Sequence, residues 1–263
     1  MIVHSKRLIF VHIQKTAGSS VRLAFREDPN PSEKHFFACE LRELYGTEVW
    51  NAYFKFAFVR NPWDRLVSWW SNIETSREAY ENGLPLNKFQ SFVLSRASTF
   101  EEFLLNCDQE IADRDGRKWV YRNQIDYLTD ENGQLIVDFV GRFENIKTHF
   151  MLASRKAIGR ELDLPRTNAT VHRHYSEYYS EAMAEYVGIR FQLDIEAFGY
   201  VFERNGGRSR EADVVTVQPR APWRAGSRDW KRFMEARSLS RRGLVSPETN
   251  QKTAARGYPQ KTA

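Results

Sequence analysis

Lys15, Thr16, Ser19 and Ser20 fall within six residues, in KTAGSS, shortly after the apolar run LIFVHI at 8–13. One cation and three hydroxyls beside a glycine, where an extended segment gives way to a helical one, are the makings of an anion cradle. Gly18 lets the backbone turn tightly, and Ser19 or Ser20 can cap the helix that follows so that its first amides face the loop. A nucleoside-triphosphate loop of the GxxxxGK[ST] kind carries glycine before its lysine. Here the lysine comes first and Gly18 follows, which argues against an ATPase. A capped helix after a strand is also ordinary structure, so this corner alone fixes neither ligand nor reaction.

A second constellation is FVRNPWDRLVSWW, residues 58–70. Arg60 stands at the carboxyl end of an apolar strand-like run, where open α/β sheets place their ligand contacts. Ser68 lies eight residues on, in a helix opened by Pro62. Arginine gives a two-pronged contact to a phosphate and serine a single hydroxyl, so the two can converge on one group. The plainer alternative is that Arg60 pairs with Asp64 and Ser68 only packs. Trp63, Trp69 and Trp70 read as core rather than as a ligand platform.

Other chemistry-bearing residues carry less. His12 sits inside the first strand-like run as a core residue, while His4 and His149 give no signal. His172 and His174, with Tyr175, Tyr178 and Tyr179, form a polar-aromatic cluster that can border a nucleotide or sugar ring or simply mark a helix boundary. Arg142 and Glu144, in GRFEN, follow a strand and can face a cleft. Cys39 and Cys107 give neither a disulfide framework nor zinc spacing, and His35 with Cys39 makes only two ligands. No metal site is expected.

These residues must be positioned by alternating strands and helices. LIFVHI and FKFAFV (54–59) are continuous apolar runs of buried parallel-strand character, and QLIVDFVG (134–141), after the turn DENG, is a third. Helical patterns intervene: FFACELRELYG, with Phe37, Leu41 and Leu44 on one face and Gly46 as its stop; RLVSWWSNI; TFEEFLLNC; NIKTHFMLASRKAIG; and SEAMAEYVGIRFQLDIEAFGY. The expected fold is α/β, a central parallel sheet flanked by helices on both faces.

At 263 residues and 41% hydrophobic, the chain can bury a sizeable core. No apolar stretch approaches the ~18 residues of a membrane span. The short run after MIVHSKR leads straight into the loop without a cleavage pattern, which reads as a first core strand rather than a signal peptide. With its free cysteines, this predicts a reducing, cytoplasmic compartment, free in solution or peripheral to a membrane. Residues 205–263 carry ten Arg and three Lys against five carboxylates, a net of +8, which leaves −3 on residues 1–204 of a chain whose total is +5. The expected division is therefore a domain at 1–204 and a basic, mostly disordered tail at 205–263, with one short helix near DWKRFMEARSL. A solvated appendage is the simpler reading of that tail, and nucleic acid is not the expected partner.

Taken together, HIQKTAGSS and FAFVRNPWDRLVSWW resemble the two nucleotide-binding motifs of the sulfotransferases that use 3′-phosphoadenosine 5′-phosphosulfate (PAPS). They are most similar to the carbohydrate branch that includes the heparan sulfate 2-O- and 6-O-sulfotransferases and short bacterial relatives. LIVDFVGRFENI and HYSEYYSEAMAEYVGIRFQLDIEAFGYVFE look like the same branch, so the resemblance covers residues 7–204. It implies a P-loop-like fold and metal-independent transfer of a sulfuryl group from PAPS to a hydroxyl, of a carbohydrate or another acceptor.

By that resemblance Lys15, Thr16, Ala17, Gly18, Ser19 and Ser20 would hold the donor's 5′-phosphosulfate, and Arg60 and Ser68 its 3′-phosphate. Lys15 would stabilise charge on the leaving oxygen. The relatives use a histidine after the first helix as base, and His35, in SEKHFFACELREL, matches that placement. An ordinary imidazole titrates near ~6.5 and can take a proton at neutral pH. Glu40, Glu43 and His174 are the alternative bases, and a surface role at a helix entrance is the plainer reading of His35. Gln14 stands where many relatives have Pro, and Ala17-Gly18-Ser19-Ser20 where Gly-Gly-Thr-Thr or Ala-Gly-Thr-Ser is common. Two other classes of function remain compatible with the residues: a small-molecule or nucleoside kinase with a degenerate loop, and a non-catalytic binder of acidic polymer.

Overall fold

A computed structural model describes residues 1–25, 34–113, 116–165 and 173–204. The expected tail and its short helix lie outside the described residues, as does His172. The elements run β1 (Ile2–Val3), β2 (Leu8–Val11), α1 (Gly18–Phe25), α2 (Ala38–Tyr45), α3 (Thr47–Ala52), β3 (Phe54–Val59), α4 (Pro62–Glu81), α5 (Lys88–Leu94) and α6 (Phe100–Asn106). They continue through β4 (Ile111–Asp113), β5 (Gly116–Lys118), β6 (Phe139–Arg142), α7 (Ile146–Ile158), α8 (Glu181–Arg190) and α9 (Gln192–Phe198).

The central sheet has the order β1-β2-β3-β6. β2, β3 and β6 are parallel, with Phe10 opposite Phe56 and Phe56 opposite Phe139. β1 is antiparallel to β2 and was not foreseen, since two residues carry no period. The α/β fold is as expected, with the sheet mostly rather than wholly parallel.

Alternation along the strands sorts the core into two faces. Ile9, Val11, Ala57, Val59 and Val140 pack with Trp63, Leu66, Trp69 and Trp70 of α4 and with α2, α5, α6, α8 and α9. Leu8, Phe10, Phe56, Phe58 and Phe139 face the other way, against Val21 and Phe25 of α1 and Phe150 and Ala153 of α7. A strand buried on both sides has no polar position to spare, which is why LIFV and FKFAFV read as unbroken apolar runs.

Two expectations need correction. The third strand is only Phe139–Arg142: the Lys55 amide of β3 donates to the Asp138 side chain at 2.8 Å rather than to a strand carbonyl, and the ladder stops there. The preceding segment turns back instead: Leu135 bridges Thr129, and Ile136 N–H donates to the Leu128 carbonyl at 3.0 Å. Leu44 is 52% exposed, so the α2 face is narrower than the pattern Phe37-Leu41-Leu44 implies; Gly46 does stop α2, but α3 starts at the next residue. A small antiparallel hairpin, β4–β5, lies outside the main sheet. Among the described residues no helix is long and apolar enough to cross a membrane.

α4 begins where the sequence says it should. Pro62 occupies its first turn, and the Asn61 side chain accepts from the Trp63 and Asp64 amides at 3.1 and 3.5 Å. Gly141 marks a close approach in β6, since a Cβ there would stand 2.4 Å from the Phe58 ring and 3.0 Å from His149 Cβ. Gly141→Ala should therefore destabilise the domain by about 1–3 kcal/mol through overpacking. The check is a lower urea midpoint with an unchanged slope.

Candidate active site

The carboxyl ends of β2, β3 and β6 converge on one edge of the sheet. β2 runs through His12-Ile13-Gln14 into the Lys15–Ser20 corner, β3 delivers Arg60, and β6 leads into Phe143 and Glu144. This edge is where a parallel sheet places ligand contacts, because the helices that follow the strands start there.

The corner is held in an uncommon backbone shape. Lys15 and Ala17 both have φ of 68°, in the left-handed region that non-glycine residues rarely adopt. Four hydrogen bonds impose it or what flanks it: Thr16 Oγ1 donates to Ile13 O (2.9 Å), Gln14 Nε2 donates to Arg117 O on β5 (2.7 Å), Arg60 Nη1 donates to Lys15 O (3.2 Å), and Val21 N–H donates to Ala17 O (3.2 Å). Alternating turns of this kind aim successive amides inward and make an anion-binding concavity. The Thr16 hydroxyl spends its single proton within the loop, so toward a ligand Thr16 offers its amide. Ser20 is buried and Ser19 is exposed at the start of α1.

Gly18 is required, but not for a left-handed turn. A Cβ on it would lie 1.8 Å from His12 Nε2, because the imidazole of His12 is pressed against this residue. His12 is buried as expected for a core residue, yet it forms a wall of the loop. Burial, and after it the neighbouring His35, hold its pKa well below the ordinary imidazole value, so the ring is neutral.

His35 lies across His12, with ring centroids 4.3 Å apart, and has φ of 70°. Its Nδ1 is 2.9 Å from the His12 carbonyl. A carbonyl can only accept, so Nδ1 carries the proton and the lone pair of the neutral ring is on Nε2. The structure thus joins His35 to the strand that feeds the Lys15 loop.

Arg60 is buried and engaged on several sides. Nε donates to Asp64 Oδ2 at 2.7 Å, Nη1 reaches Lys15 O, and the guanidinium lies 4.0 Å from the Phe143 ring centroid. The Arg60–Asp64 pair that sequence spacing left open is therefore present. Ser68 is buried one turn beyond Asp64 on the same face of α4. Lys15 Nζ lies 5.6 Å from the Trp69 ring centroid, and its pKa is lowered to about 8, first by burial and then by Arg60.

The remaining candidates have other occupations. Glu40 accepts from the Phe37 amide at 2.8 Å and pairs with Arg117, while Glu43 is exposed. His174 Nδ1 is 2.8 Å from Ser176 Oγ at the start of a short 3₁₀ turn. Tyr179 donates to Trp63 O of α4 at 2.9 Å, and Tyr175 accepts from Glu203 N–H at 2.8 Å and from Asn61 Nδ2, at the cap of α4, at 3.5 Å. Glu144 accepts from Asn61 N–H at 2.6 Å, and burial raises its pKa. Arg142 donates to Phe198 O. Sequence reasoning missed the roles of Gln14, whose amide ties loop to hairpin where Pro could not, and of Gln124, described below.

The sequence matches the model described as "Sulfotransferase family" over residues 1–201. The chain belongs to the sulfotransferase family. This sulfotransferase carries both segments singled out by spacing, KTAGSS and RNPWDRLVS, inside the matched region, at one edge of a sheet with the mostly parallel order the family's P-loop-like fold requires. Membership makes it a transferase acting on a hydroxyl-bearing acceptor. No curated protein and no solved structure matches the chain.

The Gly18–His12 contact can be tested directly. Gly18→Ala should destabilise by about 1–3 kcal/mol, and His12→Ala should relieve most of that penalty by removing the ring. A double-mutant cycle of urea midpoints checks this; simple additivity would show that the ring is not what Gly18 accommodates.

Proposed function

We propose that the protein transfers the sulfuryl group of PAPS to a hydroxyl, most simply of a carbohydrate, as in the branch its motifs resemble. The observation that carries this reading is the contact between its two motif segments: Arg60, from the second, holds the carbonyl of Lys15, from the first, at 3.2 Å. The donor set suits a polyanionic nucleotide. It offers two cations, inward amides at the start of α1, and the buried hydroxyls of Ser20 and Ser68.

In this reading the residues from Lys15 to Ser20 bind the 5′-phosphosulfate, and Arg60 with Ser68 binds the 3′-phosphate. His35 accepts the acceptor hydroxyl's proton on Nε2 as its oxygen bonds to sulfur. The bond from sulfur to the bridging phosphate oxygen breaks, and Lys15 stabilises the negative charge left on that oxygen. The sulfated acceptor and adenosine 3′,5′-bisphosphate leave, and the imidazolium returns its proton to water. The deciding experiment measures thermal protection by adenosine 3′,5′-bisphosphate against Mg-ATP, followed by sulfate transfer from radiolabelled PAPS to a glycan panel. Protection by Mg-ATP alone would favour a kinase. Binding of acidic polymer lost on deleting 205–263, with no transfer, would favour a non-catalytic binder.

Two predictions follow from the assigned roles. His35→Ala should lower kcat by roughly 10²–10⁴ with donor-product affinity almost unchanged, and should abolish the acid limb of the wild-type kcat/KM profile. A variant that keeps rate and limb would make His35 a helix-entrance residue. Lys15 is cationic below its pKa of about 8 and neutral above it, so kcat/KM for the donor should fall as pH rises through that value. Lys15→Ala should remove this alkaline limb and cost about 10²–10³ in rate, measured in steady-state assays across pH 6–10.

A further inference from the structure

β3 ends at Val59, so the backbone of Arg60 lies one residue past the sheet. Its amide and carbonyl are nevertheless both paired, and with one side chain. Gln124 Oε1 accepts from Arg60 N at 2.8 Å, and Gln124 Nε2 donates to Arg60 O at 2.8 Å. The carboxamide stands in for a neighbouring strand over a single residue. It can do so in one orientation only, because each of its ends has a fixed polarity.

That orientation has a cause on another element. Asp194 of α9 accepts from Gln124 Nε2 at 3.2 Å, from Gln124 N at 2.7 and 2.9 Å, and from Ile125 N at 3.0 Å. Gln124 and Asp194 are both 0% exposed. Burial raises the Asp194 pKa, and the field of Arg65 of α4, also fully buried, opposes that rise; Arg65 Nη2 itself donates to Val120 O at 3.2 Å and Arg122 O at 2.5 Å. Burying opposite charges is a poor device for stability alone, since apolar residues of similar volume do as well or better. What it supplies here is direction. The guanidinium of Arg60 must meet Asp64, Lys15 O and the face of Phe143 at once, and a small rotation of its backbone would break that set.

We propose that Gln124 and Asp194 are positioning residues for Arg60, a buried relay from α9 that aims its guanidinium at the donor-binding loop. The inference rests on reading Arg60 as part of the nucleotide site. It gives α9 a part in ligand binding through Arg60.

The test uses the full chain and calorimetric titration with adenosine 3′,5′-bisphosphate, at a temperature well below each variant's melting midpoint. Gln124→Met keeps the volume and removes both side-chain hydrogen bonds to Arg60 together with the one to Asp194. It should weaken binding by about tenfold or more, the scale of one charge-assisted contact, at unchanged stoichiometry. Arg60→Ala should weaken it at least as much, and the double variant should bind no worse than Arg60→Ala within twofold. A purely structural role would lower the melting midpoint without that loss of additivity. Asp194→Asn, which keeps the shape but turns one acceptor into a donor facing the Gln124 and Ile125 amides, is the second variant should Gln124→Met fail to fold; the same affinity loss and non-additivity with Arg60→Ala are expected. Wild-type binding with a folded variant within twofold of it, or losses that multiply in the double variant, would overturn the inference alone. A wild-type protein that does not bind the nucleotide would overturn the nucleotide reading, and this inference with it.

Discussion

The site depends on one guanidinium. Arg60 leaves the end of β3, pairs with Asp64 on the first turn of α4, and donates to the carbonyl of Lys15 in the loop after β2. Two segments 45 residues apart are thereby fixed to each other. The arrangement brings a second cation close, since Arg60 is itself one cause of the lowered Lys15 pKa. Asp64 pairs with Arg60, and the buried Glu144 carboxyl also feels that guanidinium. An anionic ligand in the corner would relieve the repulsion between Lys15 and Arg60.

Around that contact the backbone is strained in a consistent way. Among the described residues four non-glycine positions have positive φ, and three of them, Lys15, Ala17 and His35, belong to the site. Each such conformation costs of order ~1–3 kcal/mol and persists only where the surroundings over-determine it. Those surroundings are visible: the Thr16 hydroxyl on Ile13, the Gln14 amide on Arg117, Arg60 on Lys15, His35 on His12, and the His12 ring against Gly18. Preorganisation of this kind lets donors face developing charge without rearranging at the moment of reaction.

What the sequence discloses follows from the range over which each signal acts. β2 and β3 are buried on both faces, so their residues must be apolar throughout and the runs stand out. Asn61-Pro62 and Gly159 declare helix ends because the cap chemistry is local. The hairpin β4–β5 contains Ile-Ala-Asp and Gly-Arg-Lys, segments whose pairing has no local signature. β6 is shorter than its apolar pattern because Leu135 and Ile136 pair back with Thr129 and Leu128, contacts that exist only after folding. Gln124 and Asp194 are 70 residues apart, and their role exists only after folding. Asp194 did leave one trace: it lies between Phe191 and Phe198, both buried, on an otherwise apolar stripe. A carboxylate there must be paired.

The pairing of His12 with His35 bears on how a base can work beside two cations. In the proposed transfer His35 acquires a proton while Lys15 and Arg60 are still cationic, which opposes its protonation. A second charged imidazole 4.3 Å away would oppose it further. Burial keeps His12 neutral, so it adds no charge of its own. Its carbonyl meanwhile accepts from Nδ1 of His35 and stabilises the ring in its charged as well as its neutral form, because Nδ1 carries a proton in both. The nucleotide's negative charge would then oppose the cations already present. An imidazole base in this corner is thus better suited to its task with the donor bound than without it, which links proton abstraction to donor occupancy through electrostatics alone.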